Sequence, residues 1–203
     1  MKRIILLTIF LSIVTVSCSK IEKKERAIKS KYPFVEYDLI SDWNDEYNID
    51  SPSLWISQDG NQSIVIATSK AKHNLFVYDA TNLKLIKQIG KQGTGRVEFN
   101  RPNGIWVIND FLFVCERDNH RVQVLSLPDF SFIGFVGENQ LIRPYGLSVV
   151  EKNDEFLIFV TDQFEVENHI YPPHYMLNQR VHQFKIKINN NTIVEHNLLN
   201  SFG

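Results

Sequence analysis

The sequence predicts an all-β fold, a β-propeller with about three blades present, and three observations predict it. A proline-led phrase recurs at Pro52, Pro102 and Pro144, a period of roughly 40–50 residues that suits a four-stranded blade. Each phrase opens onto apolar runs that alternate at period two and are separated by Asn, Asp and Gly turns. Helical patterning is almost absent once the repeats begin. The repeats run over approximately residues 50–90, 100–137 and 142–203.

Two segments precede the blades. Lys2 and Arg3 lead an apolar run from Ile4 to Val16 that ends in Ser17-Cys18-Ser19. The run is short for a bilayer span and has the layout of a secretory signal. A small residue before a cysteine resembles a bacterial lipobox, so residues 1–18 are expected to be a lipoprotein-type signal peptide with Cys18 as the lipidated residue. An ordinary cleaved signal with an incidental cysteine is the alternative. Residues 19–45 form a polar tether and lead-in, whose first half is rich in Lys, Glu and Ser and buries too little to offset the entropy of ordering. With Cys18 in the signal, Cys115 is the remaining cysteine, and no intrachain disulfide is expected.

The partial propeller covers residues 46–203. Leu75-Phe76-Val77-Tyr78, Leu112-Phe113-Val114-Cys115 and Phe156-Leu157-Ile158-Phe159-Val160 are expected strands. Asp59-Gly60-Asn61, Asn109-Asp110 and Lys152-Asn153-Asp154 supply hairpin turns, because these residues tolerate positive φ. Gly90 to Gly95 has the glycines of a phosphate loop but not its strand-to-helix setting, so it reads as a connector between blades. The end at Ser201-Phe202-Gly203 repeats Phe135-Val136-Gly137. Propellers need at least four blades to close, so these residues are expected to be the front half of a longer protein with an exposed sheet edge; the expected whole is a six-bladed propeller of which they are the N-terminal half.

Charge excludes one class of partner. The formal net charge is −1 over 203 residues, with no basic stripe to gather phosphates along a backbone, so no nucleic acid is expected.

Two families are resembled. Asn119-His120-Arg121-Val122-Gln123-Val124 is similar to the close of the NHL repeat. Across the chain, Asn48-Ile49-Asp50-Ser51-Pro52-Ser53-Leu54-Trp55, Ile66-Ala67-Thr68-Ser69-Lys70, Glu116-Arg117-Asp118 and Pro144-Tyr145-Gly146-Leu147 resemble, in order, segments of the β-propeller phytases. These are calcium-dependent 3-phytase-like enzymes that remove phosphate from inositol hexakisphosphate. The resemblance implies calcium as cofactor, with Asp50 as a metal ligand, and Lys70, Arg117 and Tyr145 as contacts to substrate phosphate. Hard Ca²⁺ takes carboxylate oxygens, and arginine offers a planar fork to phosphate. Ser51 stands where that family has a second aspartate, and Trp106 where it has another.

The expected function is that of an exported phytase-like phosphohydrolase, lipid-anchored to a bacterial membrane and acting with calcium on phosphate monoesters such as phytate. The alternative is a non-catalytic NHL-like propeller that binds a protein or glycan.

Each site residue also has a structural reading. Asp50 opens a strand, Lys70 is a solvated hairpin residue, Tyr145 packs on the next blade, and Arg117 and Arg121 hold their own blade through backbone hydrogen bonds. Trp55 and Trp106 occupy equivalent strand positions in the inter-blade core. The insertion from Asp162 to Arg180 is expected to be a rim or partner-binding loop. A metal site from Asp162, Glu165, Glu167, His169 and His174 is the second choice, since their spacing matches no tight ligand motif.

Overall fold

In the computed structural model, which describes residues 38–42, 45–163, 170 and 172–203, the regular elements are β-strands and three short 3-10 turns. The signal expectation, including lipidation of Cys18, and most of the tether lie outside the described residues, as do Glu165, Glu167 and His169. Blade 1 comprises β1 (Ile49–Ile56), β2 (Ser63–Ser69), β3 (Asn74–Asp79) and β4 (Leu85–Ile89). Blade 2 comprises β5 (Pro102–Ile108), β6 (Phe111–Glu116), β7 (Arg121–Ser126) and β8 (Ser131–Val136). Blade 3 comprises β9 (Pro144–Lys152), β10 (Glu155–Asp162), β11 (Val181–Asn189) and β12 (Thr192–Phe202). Each blade is an antiparallel meander in chain order, and β5 packs beside both β1 and β9. Among the described residues no helix is long and apolar enough to cross a membrane.

Alternation decides what each sheet face buries. On β6, Leu112 and Val114 join the core shared with blade 1, where they meet Trp55, Ile66, Leu75 and Val77. Their neighbours Phe113 and Cys115 point the other way, into the core shared with Phe156, Ile158, Val160 and Phe184 of blade 3. One strand thus serves two interfaces because successive side chains point to opposite faces. On β1, Leu54 and Ile56, which alternate with buried Trp55, remain exposed.

All three inner strands carry a bulge near their first residues. Register shifts lie between Ile49 and Pro52, between Pro102 and Ile105, and in blade 3 opposite Thr161 and Asp162. In blades 1 and 3 a threonine satisfies the amide freed by the bulge: Ser51 N donates to Thr68 Oγ1 at 3.1 Å and Gly146 N to Thr161 Oγ1 at 2.9 Å. Bulges next to strand ends re-aim side chains, and these aim one residue per blade.

Counting back from the end of each second strand corrects the repeat alignment by three residues in blade 1. Ser69, Glu116 and Asp162 pair with Ile49, Pro102 and Pro144. The structural counterpart of Pro102 is therefore Ile49, not Pro52. Trp55 and Trp106 are not equivalent either. Trp55 is buried, with Nε1 donating to Asp110 Oδ1 of blade 2 at 2.9 Å, whereas Trp106 is 39% exposed.

Candidate functional site

The bulges put Asp50, Asn103 and Tyr145 at corresponding positions on β1, β5 and β9. They share the end of the blades where the inner strands begin and β2, β6 and β10 finish. Cations collect at the same end: Lys70 follows β2, Arg117 follows β6, Arg143 precedes β9, and Arg180 precedes β11.

Three of the four sequence-predicted residues for metal and phosphate meet there. Lys70 Nζ lies 2.8 Å from Asp50 Oδ2 and donates to the Tyr145 hydroxyl at 3.3 Å. It also sits 5.1 Å from the centroid of the Tyr145 ring. Lys70 is thus held between a carboxylate of its own blade and an aromatic of blade 3, and its side chain is only 11% exposed. Ser51 Oγ adds a long 3.4 Å hydrogen bond to Asp50 Oδ2. Tyr145 itself is 44% exposed, so the trio has a polar outer surface.

Two glycines let the strands close beneath Tyr145. A Cβ on Gly104 would meet Gly146 Cα and Tyr145 O, each at 2.8 Å. Only a bare backbone fits between β5 and β9 at this level.

Beside Tyr145 a cavity of about 430 Å³ is lined by Thr161, Asp162, Gln163, Arg180 and Val181 as well. Its wall is fixed by Asp162, whose two carboxylate oxygens accept the Ile142 and Arg143 amides at 2.6 Å each. His182 continues the chain of contacts outward, 3.6 Å from Asp162 Oδ2 and 2.9 Å from Ser201 Oγ. Asp162, which the sequence offers as a ligand in the insertion, is therefore occupied in anchoring the start of β9.

Arg117 is the fourth predicted residue, and its nearest acidic partner is Asp118, 3.7 Å from Nε. That Nε is buried and makes no hydrogen bond.

The NHL-like phrase has a structural role. Arg121 Nε and Gln123 Nε2 donate to Glu116 Oε1 at 2.9 and 2.8 Å, and Asn119 reaches Glu116 Oε2. The same side chains grip the connector between blades 1 and 2: Asn119 donates to Gly93 O at 2.9 Å, Arg121 to Gly95 O at 3.3 Å, and Gln123 bonds Val97 N and Glu98 O. Burial pushes the Glu116 carboxyl upward, with the Arg121, Asn119 and Gln123 donors opposing it. The glycines at 90–95 thus belong to a clasped connector.

Asn103 is what sequence reasoning missed. It is fully buried, and neither Oδ1 nor Nδ2 has a hydrogen-bond partner. Its register between Asp50 and Tyr145 is what singles it out.

Calcium asks for several hard oxygen ligands around one point. Asp50 commits one oxygen to Lys70, and among the described residues no three His, Cys, Asp or Glu side chains come together to hold an ion. The described donors do not fit the ion.

A family model, DUF5128, described as a 6-bladed beta-propeller, matches residues 20–202. No curated protein matches the chain. Among solved structures, hydrazine synthase of Kuenenia stuttgartiensis is similar at 14% identity, covering 83% of this chain and 53% of that one, with a TM-score of 0.44. Dihydro-heme d1 dehydrogenase NirN in complex with DHE is similar at 7% identity, with coverages of 75% and 28% and a TM-score of 0.49. A protein of Bacteroides fragilis NCTC 9343 described as exported is similar at 15% identity, with coverages of 81% and 58% and a TM-score of 0.38. The chain spans between 28% and 58% of the length of these three structures.

Proposed function

The chain belongs to the 6-bladed β-propeller family DUF5128, and on that premise we propose that the inner-strand end of its blades binds a phosphorylated small molecule without hydrolysing it. The observation that carries this reading is the contact between Lys70 of blade 1 and Tyr145 of blade 3, beside a cavity walled by Arg180. An ammonium, a phenol hydroxyl and a guanidinium are the donors that a phosphate group takes, and the charged ones make the stronger bonds. Incoming phosphate competes with Asp50 for Lys70. The affinity is set by how much stronger the new charge-assisted bonds are than the 2.8 Å pair they replace.

Hydrolysis needs an activated water. In the phytase resemblance calcium supplies it, and the commitment of Asp50 to Lys70 weighs against that role here. Binding rather than turnover is the chemistry that these residues support. The same reading puts the propeller outside the cytoplasm, tethered to a bacterial membrane by a lipid on Cys18.

The test is calorimetric titration with inositol hexakisphosphate, run beside a phosphate-release assay, each with calcium and with chelator. Saturable binding that persists in chelator, without release, is expected. Calcium-dependent release would establish the phosphohydrolase instead, and absence of binding would leave a propeller that recognises a protein or glycan.

A further inference from the structure

We propose that Asn103 reads a hydroxyl group adjacent to the phosphate of the ligand, which makes the preferred ligand a phosphate monoester of a polyol that keeps free hydroxyls. This rests on the phosphate-binding reading above and names its substrate class.

Three observations carry it. Asn103 occupies on blade 2 the position that Asp50 and Tyr145 occupy on blades 1 and 3, and the Lys70–Tyr145 contact joins those two blades across it. Its carboxamide is fully buried with both polar atoms unpartnered. Buried polar groups without partners are uncommon in native proteins and point to a missing water, ion or ligand. Arg117 Nε, which follows the end of β6, is buried without a hydrogen bond and has only the Asp118 carboxylate 3.7 Å away; Asn103 and Arg117 lie on either side of the Pro102–Glu116 pair.

The chemistry of the orphans selects the ligand. Arg117 Nε and Asn103 Nδ2 are donors and suit phosphate oxygen, whereas Asn103 Oδ1 needs a donor from its guest. Ionised phosphate has little to give it; an alcohol O–H does. A fully phosphorylated inositol leaves Oδ1 unsatisfied, and a monophosphate with neighbouring hydroxyls satisfies both ends of the amide. Sites built around a hydroxyl discriminate against ligands lacking it, because the buried partner is then left unpaired.

The experiment compares wild type, N103L and K70M, titrated with myo-inositol 1-phosphate and with inositol hexakisphosphate in chelator, with thermal melting of each unliganded protein. Leu keeps the branched skeleton of Asn and removes its polarity, and the melting curves of the unliganded proteins report what its larger volume costs at this buried position. N103L should bind inositol 1-phosphate about tenfold more weakly and hexakisphosphate within about twofold of wild type. Equal weakening for both ligands, or none, overturns the role of Asn103 while wild-type binding still stands; none would mean the amide holds a trapped water only. Wild type binding neither ligand, with K70M indistinguishable from it, overturns the phosphate reading and this inference together.

Discussion

Lys70 and Tyr145 belong to different blades, yet the Lys70 ammonium donates to the Tyr145 hydroxyl at 3.3 Å and lies 5.1 Å from the centre of its ring. Blade 2 separates them in the chain. Their contact is possible because the inner strands start with bulges and because Gly104 and Gly146 bring β5 and β9 together with no side chains between. The ammonium is the strongest donor of the site, so it is where substitution should tell most.

Replacing Lys70 with methionine keeps the apolar stem and removes the charge. Hydrogen bonds to charged groups contribute about 1.5–3 kcal/mol, so affinity for inositol hexakisphosphate is expected to fall at least about tenfold. Titration of K70M against wild type at matched ionic strength checks it.

Gly104 supports the site from beneath. A Cβ there would meet backbone atoms of Tyr145 and Gly146 at 2.8 Å, and backbone cannot step aside as a side-chain tip can. Gly104→Ala is expected to cost about 1–3 kcal/mol, read as a melting temperature several degrees lower. An unchanged melting temperature would show that β5 and β9 approach less closely.

The clasp around Glu116 should break unevenly. Glu116→Leu removes the close carboxylate of the Arg121 guanidinium, whose side chain is 6% exposed, and leaves it only the half-exposed Glu138 at 3.9 Å. Stranding a buried charge costs about 3–5 kcal/mol. Glu116→Gln still offers an amide oxygen to Arg121 and should cost clearly less. Urea unfolding of both variants measures the difference.

Acid should loosen the seam between blades 2 and 3. His196 Nε2 accepts the Gly137 amide at 3.4 Å, and its ring lies 5.7 Å from that of Phe184. Burial holds its pKa below the ordinary 6.5, so the neutral ring is the form the fold prefers. That contribution is present above pH 6.5 and is lost as pH falls through the folded value. Between about pH 7.5 and pH 5.5, wild type is expected to lose more melting temperature than His196→Gln, which keeps an acceptor and does not titrate. Equal losses would remove His196 from the explanation.

How much was legible in the sequence depended on whether the signal was local. The hairpin turns were, because Asn109, Asn153 and Asp154 adopt the positive φ that such residues tolerate. The strands at Leu75–Tyr78, Leu112–Cys115 and Phe156–Val160 were, because sheet alternation is written residue by residue. Register was not. Pro52 has the same look as Pro102, but the pairing of β1 with β2 makes Ile49 the counterpart of Pro102 and leaves Pro52 three residues further on, opposite Ala67, and no local pattern records that displacement.

The site divides the same way. Lys70 and Tyr145 were visible through a family resemblance carried by their neighbours. The Asp50–Lys70 pair was not, since it depends on how a bulge aims Asp50 at the end of the next strand. Asn103 was invisible because its distinction is the absence of partners, which only packing reveals.

The most direct measurement is the affinity of Asp50→Asn for inositol hexakisphosphate, with calcium and with chelator. If Lys70 is the anion-binding group and Asp50 its competitor, removing the carboxylate charge frees the ammonium, and binding should tighten by several-fold under both conditions. Binding that weakens, and does so only when calcium is present, would contradict this and return Asp50 to the role of a metal ligand.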